Sequence, residues 1–221
     1  MQDLFKGSYN EKKASYFGHE RNEINELLPE YSKTVLEVGC GDGATLKWLK
    51  DSGRCESTYG IEIFDSAAAK AKEVVDHVSQ GNIERDEISF LSNAFDLILL
   101  LDVLEHLVDP WEVLKKLVDE NLTSGGSIIV SLPNIRHHSA LIPLLFKGEW
   151  KYRDSGILDR THYRFFTRKS CLDLFRHCGL NACNCLLYPV DFTVKQKLFN
   201  FLTFGIFRNF LAQRYIFLLR K

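Results

Sequence analysis

The chain has 221 residues, of which 45% are hydrophobic and 26% are charged, and only five are proline. This composition excludes a disordered or collagen-like chain and indicates a globular protein with enough chain for one full hydrophobic core. The formal net charge is −1. Bulk electrostatics therefore give no reason to expect a nucleic-acid partner, and we expect no DNA binding.

The six cysteines are scattered along the chain, and none belongs to the Cys-x-x-Cys pair that is typical of a zinc site. We therefore expect reduced thiols, as in a cytoplasmic protein. The first residues are polar where a secretory signal is apolar, and no apolar run reaches the length of a membrane-spanning helix. The sequence thus predicts a cytoplasmic location.

Apolar runs bounded by turn residues alternate with helical patterns from residue 34 to residue 132. This alternation is typical of a doubly wound, mostly parallel sheet with right-handed crossovers, so we predict an α/β Rossmann-like fold. The predicted strands are Thr34–Val38, Tyr59–Ile63, Phe95–Leu101 and Ser127–Leu132. The predicted helices are Ala44–Asp51, Asp65–Val78 and Asp109–Asn121.

The flanking segments complete a single predicted domain. Apolar positions at helical spacing in Ser15–Leu28 predict an N-terminal helical cap, and the long aperiodic segment Pro133–Arg164 predicts a functional loop region. A helix over Thr167–Cys178 and a final strand over Arg214–Lys221 follow. The predicted parts are the cap at 1–33, the core at 34–132, the loop region at 133–170, and a C-terminal helix and strand hairpin with an apolar, basic insertion at 171–221.

The strongest motif is the sequence VLEVGCGDG, in which an apolar strand runs into glycines at positions 39, 41 and 43. Glycine permits positive φ and lets a ligand approach the backbone closely. Glu62 ends the second predicted strand, at the sheet edge where a carboxylate can accept hydrogen bonds from a ribose diol. A nucleoside ligand is therefore expected. The spacing Gly39-x-Gly41-x-x-Ala44 also fits a dinucleotide fingerprint, so NAD has to be weighed.

Glu37 distinguishes the two cofactors. Its carboxylate, two residues before the first glycine, would repel a pyrophosphate and attract the ammonium of an amino-acid group. The pattern therefore favours S-adenosylmethionine over a dinucleotide.

With these motifs the chain resembles the class I S-adenosylmethionine-dependent methyltransferases. The segments YGIEI, FDLILLLDVLEHLVDP and SGGSIIVSLPN are similar to further motifs of that family. The resemblance implies a seven-stranded sheet with an antiparallel last strand, S-adenosylmethionine as cofactor and S-adenosylhomocysteine as product. The residues it implies at the cofactor are Glu37, Gly39, Cys40 and Gly41 at the methionine end, Glu62 at the ribose, Ile63 and Asn82 at the adenine, Asp102, and Tyr16 and Arg21 from the N-terminal cap.

Asp102, Glu105 and His106 follow the Phe95–Leu101 strand, and a helical turn would bring their side chains to one face. Such a cluster suits proton transfer. The alternative is that Asp102 caps a helix and His106 packs against the adenine. The later segment ILDRTHYRFFT resembles a signature of methyltransferases of bacterial glycan and O-antigen biosynthesis, which implies His162 as an active-site base. The alternative there is a segment that only packs its phenylalanines into the core.

A second resemblance concerns the pattern Asp-x-x-Glu-His with a distant histidine. It is similar to the metal site of small-RNA 3′-terminal 2′-O-methyltransferases, with Asp in place of the first Glu. In that interpretation Asp102, Glu105, His106 and His162 would hold Mg²⁺ or Mn²⁺. Our preferred interpretation assigns no metal and gives His162 or His106 the role of base in O-methylation of a sugar or glycan-linked acceptor. Another small-molecule acceptor, such as a quinone or carboxylate, and a non-enzymatic cofactor-binding regulator remain alternatives.

Local charge points to two further partners. Residues 131–170 contain eight basic and three acidic groups, which favours an anionic acceptor. Residues 192–221 contain six basic residues and no acid, and phenylalanines crowd residues 192–211. Two interpretations of this insertion stay open: peripheral docking on an anionic inner-membrane surface, or a lid or dimer helix with buried phenylalanines.

Overall fold

A computed structural model of the chain describes residues 20–92, 94–189, 193–205 and 207–221. The strands in these ranges are β1 (Ser32–Val38), β2 (Cys55–Glu62), β3 (His77–Gln80), β4 (Phe95–Leu101), β5 (Leu122–Pro133), β6 (Asn181–Tyr188) and β7 (Arg214–Arg220). The helices are α1 (Ala44–Asp51), α2 (Asp65–Ala71), α3 (Pro110–Lys116), α4 (His138–Lys147), α5 (Arg168–His177), α6 (Val194–Leu202) and α7 (Arg208–Leu211). The strands form one sheet in the order β3-β2-β1-β4-β5-β7-β6. The predicted α/β sheet is confirmed.

The chain divides into two compact units. One unit contains the residues up to Leu99 together with Glu120–Gly126, and the other contains Leu100–Asp119 and Ser127–Lys221. None of the helices in the described part of the chain combines the length and apolarity that crossing a bilayer requires.

The first unit is built on parallel strands. β1 pairs with β2, and β2 pairs with β3. The near-continuous apolar run Val35–Val38 is typical of a strand covered on both faces, and Val35, Leu36 and Val38 are buried. At the start of β1, the backbone N–H and hydroxyl of Thr34 both donate to Asp96 Oδ2, at 3.0 and 3.2 Å. The predicted helix Ala44–Asp51 is confirmed as α1.

The predicted helix Asp65–Val78 is wrong in its second half, because α2 ends at Ala71 and β3 begins at His77. The alanines of α2 give a clear helical pattern, but the strand after it is fixed by long-range bonds. Asp76 Oδ2 accepts hydrogen bonds from the backbone N–H and the hydroxyl of Thr58, both at 2.9 Å. These bonds hold the chain extended against β2.

The second unit contains the antiparallel strands. β7 pairs antiparallel with both β5 and β6, and Phe217 of β7 meets Phe175 of α5 with ring centroids 5.0 Å apart. Thr167 caps α5, and its hydroxyl accepts a hydrogen bond from Ser170 N in a capping box. α3 begins with Pro110 after the N-cap Asp109, and a π-helical turn at Leu117–Asn121 completes the predicted Asp109–Asn121 helix.

Two other predicted segments differ from the structure. The segment Pro133–Arg164 is not wholly irregular, because it contains α4. Its apolar residues lie on several sides of the helix, which contains Pro143, so the sequence shows no amphipathic period. Of the predicted N-terminal helix Ser15–Leu28, the structure has a 3₁₀ turn at Asn22–Leu27 with Ile24 and Leu27 buried, and residues 15–19 lie outside the described residues.

Gly60 in β2 makes room for the glycine-rich turn. A Cβ at this position would lie 2.6 Å from Cys40 Sγ. We expect Gly60→Ala to lower the free energy of unfolding by about 1–3 kcal/mol, because the strand cannot move away from its paired neighbours. Thermal denaturation measures the effect. Adding Cys40→Ala should recover part of the loss, and additive effects of the two substitutions would contradict this contact.

Candidate functional site

The glycine-rich turn lies in the first unit, between β1 and α1. Gly39, Gly41 and Gly43 all have positive φ, at 71°, 58° and 85°, a conformation that L side chains rarely adopt. Gly39 N and Cys40 N both donate to Ile61 O, at 2.7 and 3.1 Å. These two hydrogen bonds therefore hold the turn against the end of β2. The side chain of Cys40 is buried and lies next to Gly60.

Glu37 lies on β1 just before this turn and is 3% exposed. Within the described part of the chain, its Oε2 atom is buried and has no hydrogen-bond partner. Burial raises the pKa of Glu37 to about 8, and the positive charge of Arg21 opposes this shift. A buried carboxylate oxygen in this state is suited to a cationic ligand group that supplies the missing hydrogen bond.

Glu62 ends β2 and faces the same turn. Its Oε2 accepts a hydrogen bond from Gly41 N at 2.8 Å, and its Oε1 accepts one from Phe64 N at 2.9 Å. Burial raises the pKa of Glu62, and these backbone N–H groups counteract the rise. A carboxylate has about four acceptor positions, so both oxygens retain capacity for hydroxyl donors. The neighbouring Ile63 is 41% exposed, unusually high for a large apolar side chain.

The remaining predicted cofactor residues of the first unit have local partners. Asn82 follows β3, and its side-chain oxygen accepts a hydrogen bond from Glu84 N at 2.8 Å. An adenine amino group would therefore have to use the second lone pair of that oxygen. Arg21 Nε donates to Glu23 Oε1 at 2.5 Å, and Arg21 N donates to Thr45 Oγ1 at 3.3 Å. Tyr16 lies outside the described residues.

Asp102 directly follows β4 in the second unit and has φ 59°, which is rare for a residue other than glycine. Its Oδ1 accepts a hydrogen bond from Ser131 Oγ, and its Oδ2 forms an ion pair with Arg214 at 2.9 Å. Arg214 also lies over the ring of Tyr188, 5.1 Å from the centroid. The predicted common helical face of Asp102, Glu105 and His106 is therefore wrong, because the turn here is left-handed and then 3₁₀.

Glu105, His106 and His162 do come together. One ligand atom from each of the three residues lies within 4.8 Å of the others. Glu105 Oε1 is 4.0 Å from His162 Nε2, and the two histidine rings meet edge to face with centroids 4.7 Å apart. The Glu105 and His162 side chains are 1% and 6% exposed. The structure therefore confirms the predicted proximity of His162 to the Glu105-His106 pair and leaves Asp102 out of the group.

The backbone orients both imidazoles. His106 Nδ1 is 3.1 Å from Thr161 O, and His162 Nδ1 is 3.1 Å from Ile157 O. A carbonyl oxygen only accepts hydrogen bonds, so we assign the hydrogen to Nδ1 in both rings. In the neutral form, the basic lone pair of each ring is then on Nε2. These two nitrogens can take a proton or bind a metal ion.

No sequence pattern indicates the residues that position this cluster. Asp159 is buried, and its Oδ1 accepts hydrogen bonds from Thr161 N and Thr161 Oγ1, at 2.9 and 2.7 Å. The backbone oxygen of Glu105 accepts from Tyr163 N and Arg164 N, at 2.8 and 3.1 Å. Arg214, the ion-pair partner of Asp102, is in the sequence only one of six basic residues in 192–221, and its position at the start of the predicted final strand is the one signal that distinguishes it.

Several of the basic residues predicted to attract an anionic acceptor have partners within the second unit. Arg160 pairs with Asp154 at 2.6 Å, and Lys151 pairs with Glu149 at 3.2 Å. Arg164 donates to the backbone oxygen of Val108. The excess of basic residues therefore overstates the positive charge available to a substrate.

The chain is similar in sequence to known proteins. The family profile described as “Methyltransferase domain” matches residues 9–183. The chain is 30% identical over 158 residues to the mitochondrial ubiquinone biosynthesis O-methyltransferase of Candida albicans, covering 67% of this chain and 47% of that protein. It is 28% identical over 130 residues to the ubiquinone biosynthesis O-methyltransferase of Nitrosomonas europaea, covering 56% of this chain and 54% of that protein. The chain thus spans about half the length of these curated relatives.

Solved structures share the fold. A structure of an Archaeoglobus fulgidus protein described as a SAM dependent methyltransferase matches with a TM-score of 0.64 and 18% identity, covering 100% of this chain and 99% of that one. The predicted class I, Rossmann-like fold is therefore confirmed.

Proposed function

The chain belongs to the methyltransferase domain family, and from this membership we propose that it is an S-adenosylmethionine-dependent methyltransferase that modifies a hydroxyl oxygen. The observation that carries the proposal is the buried Glu37 carboxylate beside the glycine-rich turn. When bound, the cofactor supplies a methyl group activated by a sulfonium, which an oxygen nucleophile takes by in-line displacement. The protein has to bind the cofactor, orient the acceptor and remove the hydroxyl proton.

The residues of the first unit fit this cofactor. Glu37 Oε2 would accept a hydrogen bond from the ammonium group of the cofactor. This bond would supply the partner that the buried oxygen lacks. The remaining acceptor capacity of Glu62 suits the ribose hydroxyls, and the exposed Ile63 side chain suits an adenine face. A dinucleotide fits less well, because a pyrophosphate offers no donor to Glu37 Oε2 and is repelled by that carboxyl when it is ionised.

His162 is our candidate for the base that removes the hydroxyl proton. Its Nδ1 hydrogen is held by a backbone carbonyl, and its basic Nε2 faces the Glu105 carboxylate. Once His162 accepts a proton on Nε2, the Glu105 carboxylate stabilises the imidazolium. His106 is the alternative base, since its ring has the same tautomer.

The same cluster supports a second candidate chemistry. Glu105, His106 and His162 offer one carboxylate and two imidazoles, a donor set that suits Mn²⁺ better than Mg²⁺. A metal ion held there would lower the pKa of an acceptor hydroxyl.

A chelator separates these two chemistries. If His162 alone removes the proton, we expect the rate to be unchanged after removal of divalent ions. Loss of turnover in chelator with recovery on adding Mn²⁺ would instead establish the metal-assisted reaction.

The names of the curated relatives support oxygen as the acceptor atom. The predicted glycan hydroxyl remains our acceptor from the sequence resemblance, and a phenolic hydroxyl of a quinone precursor is the second candidate, favoured by those names. A phenol has a pKa near 10, so it needs less help from a base than a sugar hydroxyl does.

The direct test is formation of S-adenosylhomocysteine from S-adenosylmethionine, measured with a panel of sugar, catechol and carboxylate acceptors. Turnover confined to hydroxyl acceptors is the expected result. Turnover only with carboxylates would contradict O-methylation of a hydroxyl, and absence of turnover with tight S-adenosylhomocysteine binding would favour a regulatory cofactor-binding protein.

A further inference from the structure

Two helices of the second unit expose unusually large apolar side chains. In α4, Leu145 and Phe146 are 70% and 81% exposed, and in α6 Phe201 is 77% exposed. After α6, Phe204 is 93% exposed. We call the whole set the phenylalanine-rich surface, and its members are Ile142, Leu145, Phe146, Leu198, Phe201, Leu202, Phe204 and Phe207. These large apolar side chains therefore do not contribute to the hydrophobic core of the unit.

Spacing organises the surface into stripes. Ile142, Leu145 and Phe146 stand at i, i+3 and i+4 in α4, and Leu198, Phe201 and Leu202 repeat that spacing in α6. Residues at these intervals share one face of a helix. Each helix therefore presents a continuous apolar stripe outside the core.

The base of α4 is anchored next to α7. Asn134 Nδ2 donates to the backbone oxygens of Asn209 and Ala212, at 2.7 and 2.8 Å. The rings of His138 and Phe210 lie with centroids 5.9 Å apart. α4 is thus joined by direct contacts to α7, the helix that follows α6 in the chain.

Basic residues predominate next to these stripes, and the nearby acid Glu149 pairs with Lys151 at 3.2 Å. Lys147 ends α4, Lys197 lies on α6 and Arg208 begins α7, and all three are exposed. Residues 192–221 contain no acidic residue. Phenylalanine and leucine flanked by lysine and arginine are the composition of helices that lie in the interface of an anionic bilayer.

Self-association fits this pattern less well. In a two-fold symmetric dimer the same patch meets itself, so the three cations of one copy would face those of the other. Such a contact would bring like charges together. A bilayer with anionic headgroups attracts the basic residues and accepts the aromatic side chains in the same contact.

We propose that the phenylalanine-rich surface docks the protein on a lipid bilayer that contains anionic headgroups. The helices lie on the membrane, with the phenylalanines in the acyl boundary and the basic residues at the headgroups. This inference does not depend on the proposed methyl transfer.

Vesicle flotation with the purified full chain tests the proposal. One set of vesicles is phosphatidylcholine alone and the other contains about 30 mol% phosphatidylglycerol. We expect at least about tenfold greater partitioning to the anionic vesicles at low salt, weakened strongly at about 0.5 M salt. Absence from the anionic vesicles at low salt, or equal binding to both sets, would overturn the proposal.

Two variants assign the binding to this surface. The double substitution Phe201→Ser and Phe204→Ser should lower the partition coefficient at least about tenfold, and Lys197→Gln with Arg208→Gln should remove the preference for anionic vesicles. Tyr31→Ser is the matched control, since Tyr31 is an aromatic residue 54% exposed in the first unit. S-adenosylhomocysteine binding by each variant verifies folding. Unchanged flotation of the phenylalanine variant would overturn the proposal. A wild-type protein that is dimeric and binds no vesicles, with a phenylalanine variant that is monomeric, would also overturn it.

Discussion

Glu37→Gln is expected to weaken S-adenosylhomocysteine binding by about 100-fold, because the ligand ammonium loses a charged hydrogen-bond partner in a buried site. Gln keeps the shape of the side chain, so the turn around Gly39 and Gly41 should be preserved. Isothermal titration calorimetry measures the affinity. Glu56→Gln is the matched control, since Glu56 is an exposed glutamate on β2 of the same unit.

The same carboxylate makes binding depend on pH. With a pKa of about 8, Glu37 is mostly protonated in the free protein at pH 7 and has to ionise to bind an ammonium. We expect the affinity to rise about tenfold per pH unit below pH 8, with about one proton released per ligand at pH 7. Titrations in buffers of different ionisation enthalpy measure that proton. An affinity independent of pH between 6 and 8 would rule out this role for Glu37.

The stability of the unliganded protein should change in the opposite direction. Because burial raises the pKa of Glu37 from 4.5 to about 8, the folded state binds more protons than the unfolded state between those values. Stability is therefore lost as the pH rises through this window, by at most about 1.4 kcal/mol per pH unit for one group. The raised pKa of Glu62 adds to this slope. Glu37→Gln should reduce the slope, so it should stabilise the free protein at pH 8 while weakening ligand binding.

His162→Ala is expected to lower kcat by about 10²–10⁴, the usual contribution of a general base. S-adenosylhomocysteine affinity should be unchanged, because Glu37 and Glu62 supply the predicted cofactor contacts. A second variant, His162→Gln, occupies most of the same volume without a basic nitrogen and should show the same loss. Steady-state rates and calorimetry on the same preparations separate turnover from binding.

His177→Ala serves as the control for His162→Ala, since His177 is exposed at the end of α5. It should keep the wild-type rate. A His162 variant with an unchanged rate would remove this residue from the mechanism and leave His106 as the candidate base. Loss of cofactor affinity together with turnover would indicate a structural role instead.

Parts of the fold could be predicted from the sequence because they depend on local residue patterns. The helix α1 and the strand β4 have the predicted bounds, since an amphipathic or apolar run depends on neighbouring residues alone. The end of α2 was not readable. The helical pattern of α2 is followed directly by the segment that Thr58 and Asp76 hold against β2, and no local pattern indicates that contact.

The candidate site divides in the same way. The sequence by itself determined the glycine-rich turn and the acids Glu37 and Glu62, because φ restrictions and strand ends are properties of short segments. Only the tertiary structure brought His162 to Glu105 and His106, and it assigned Asp102 to Arg214 and Ser131 instead. The Thr161 contact of His106 joins residues 55 positions apart, and such pairings depend on how distant elements pack. The tertiary structure also decided that the apolar stripes on α4 and α6 are exposed, since burial is a property of the packed chain and not of its residue types.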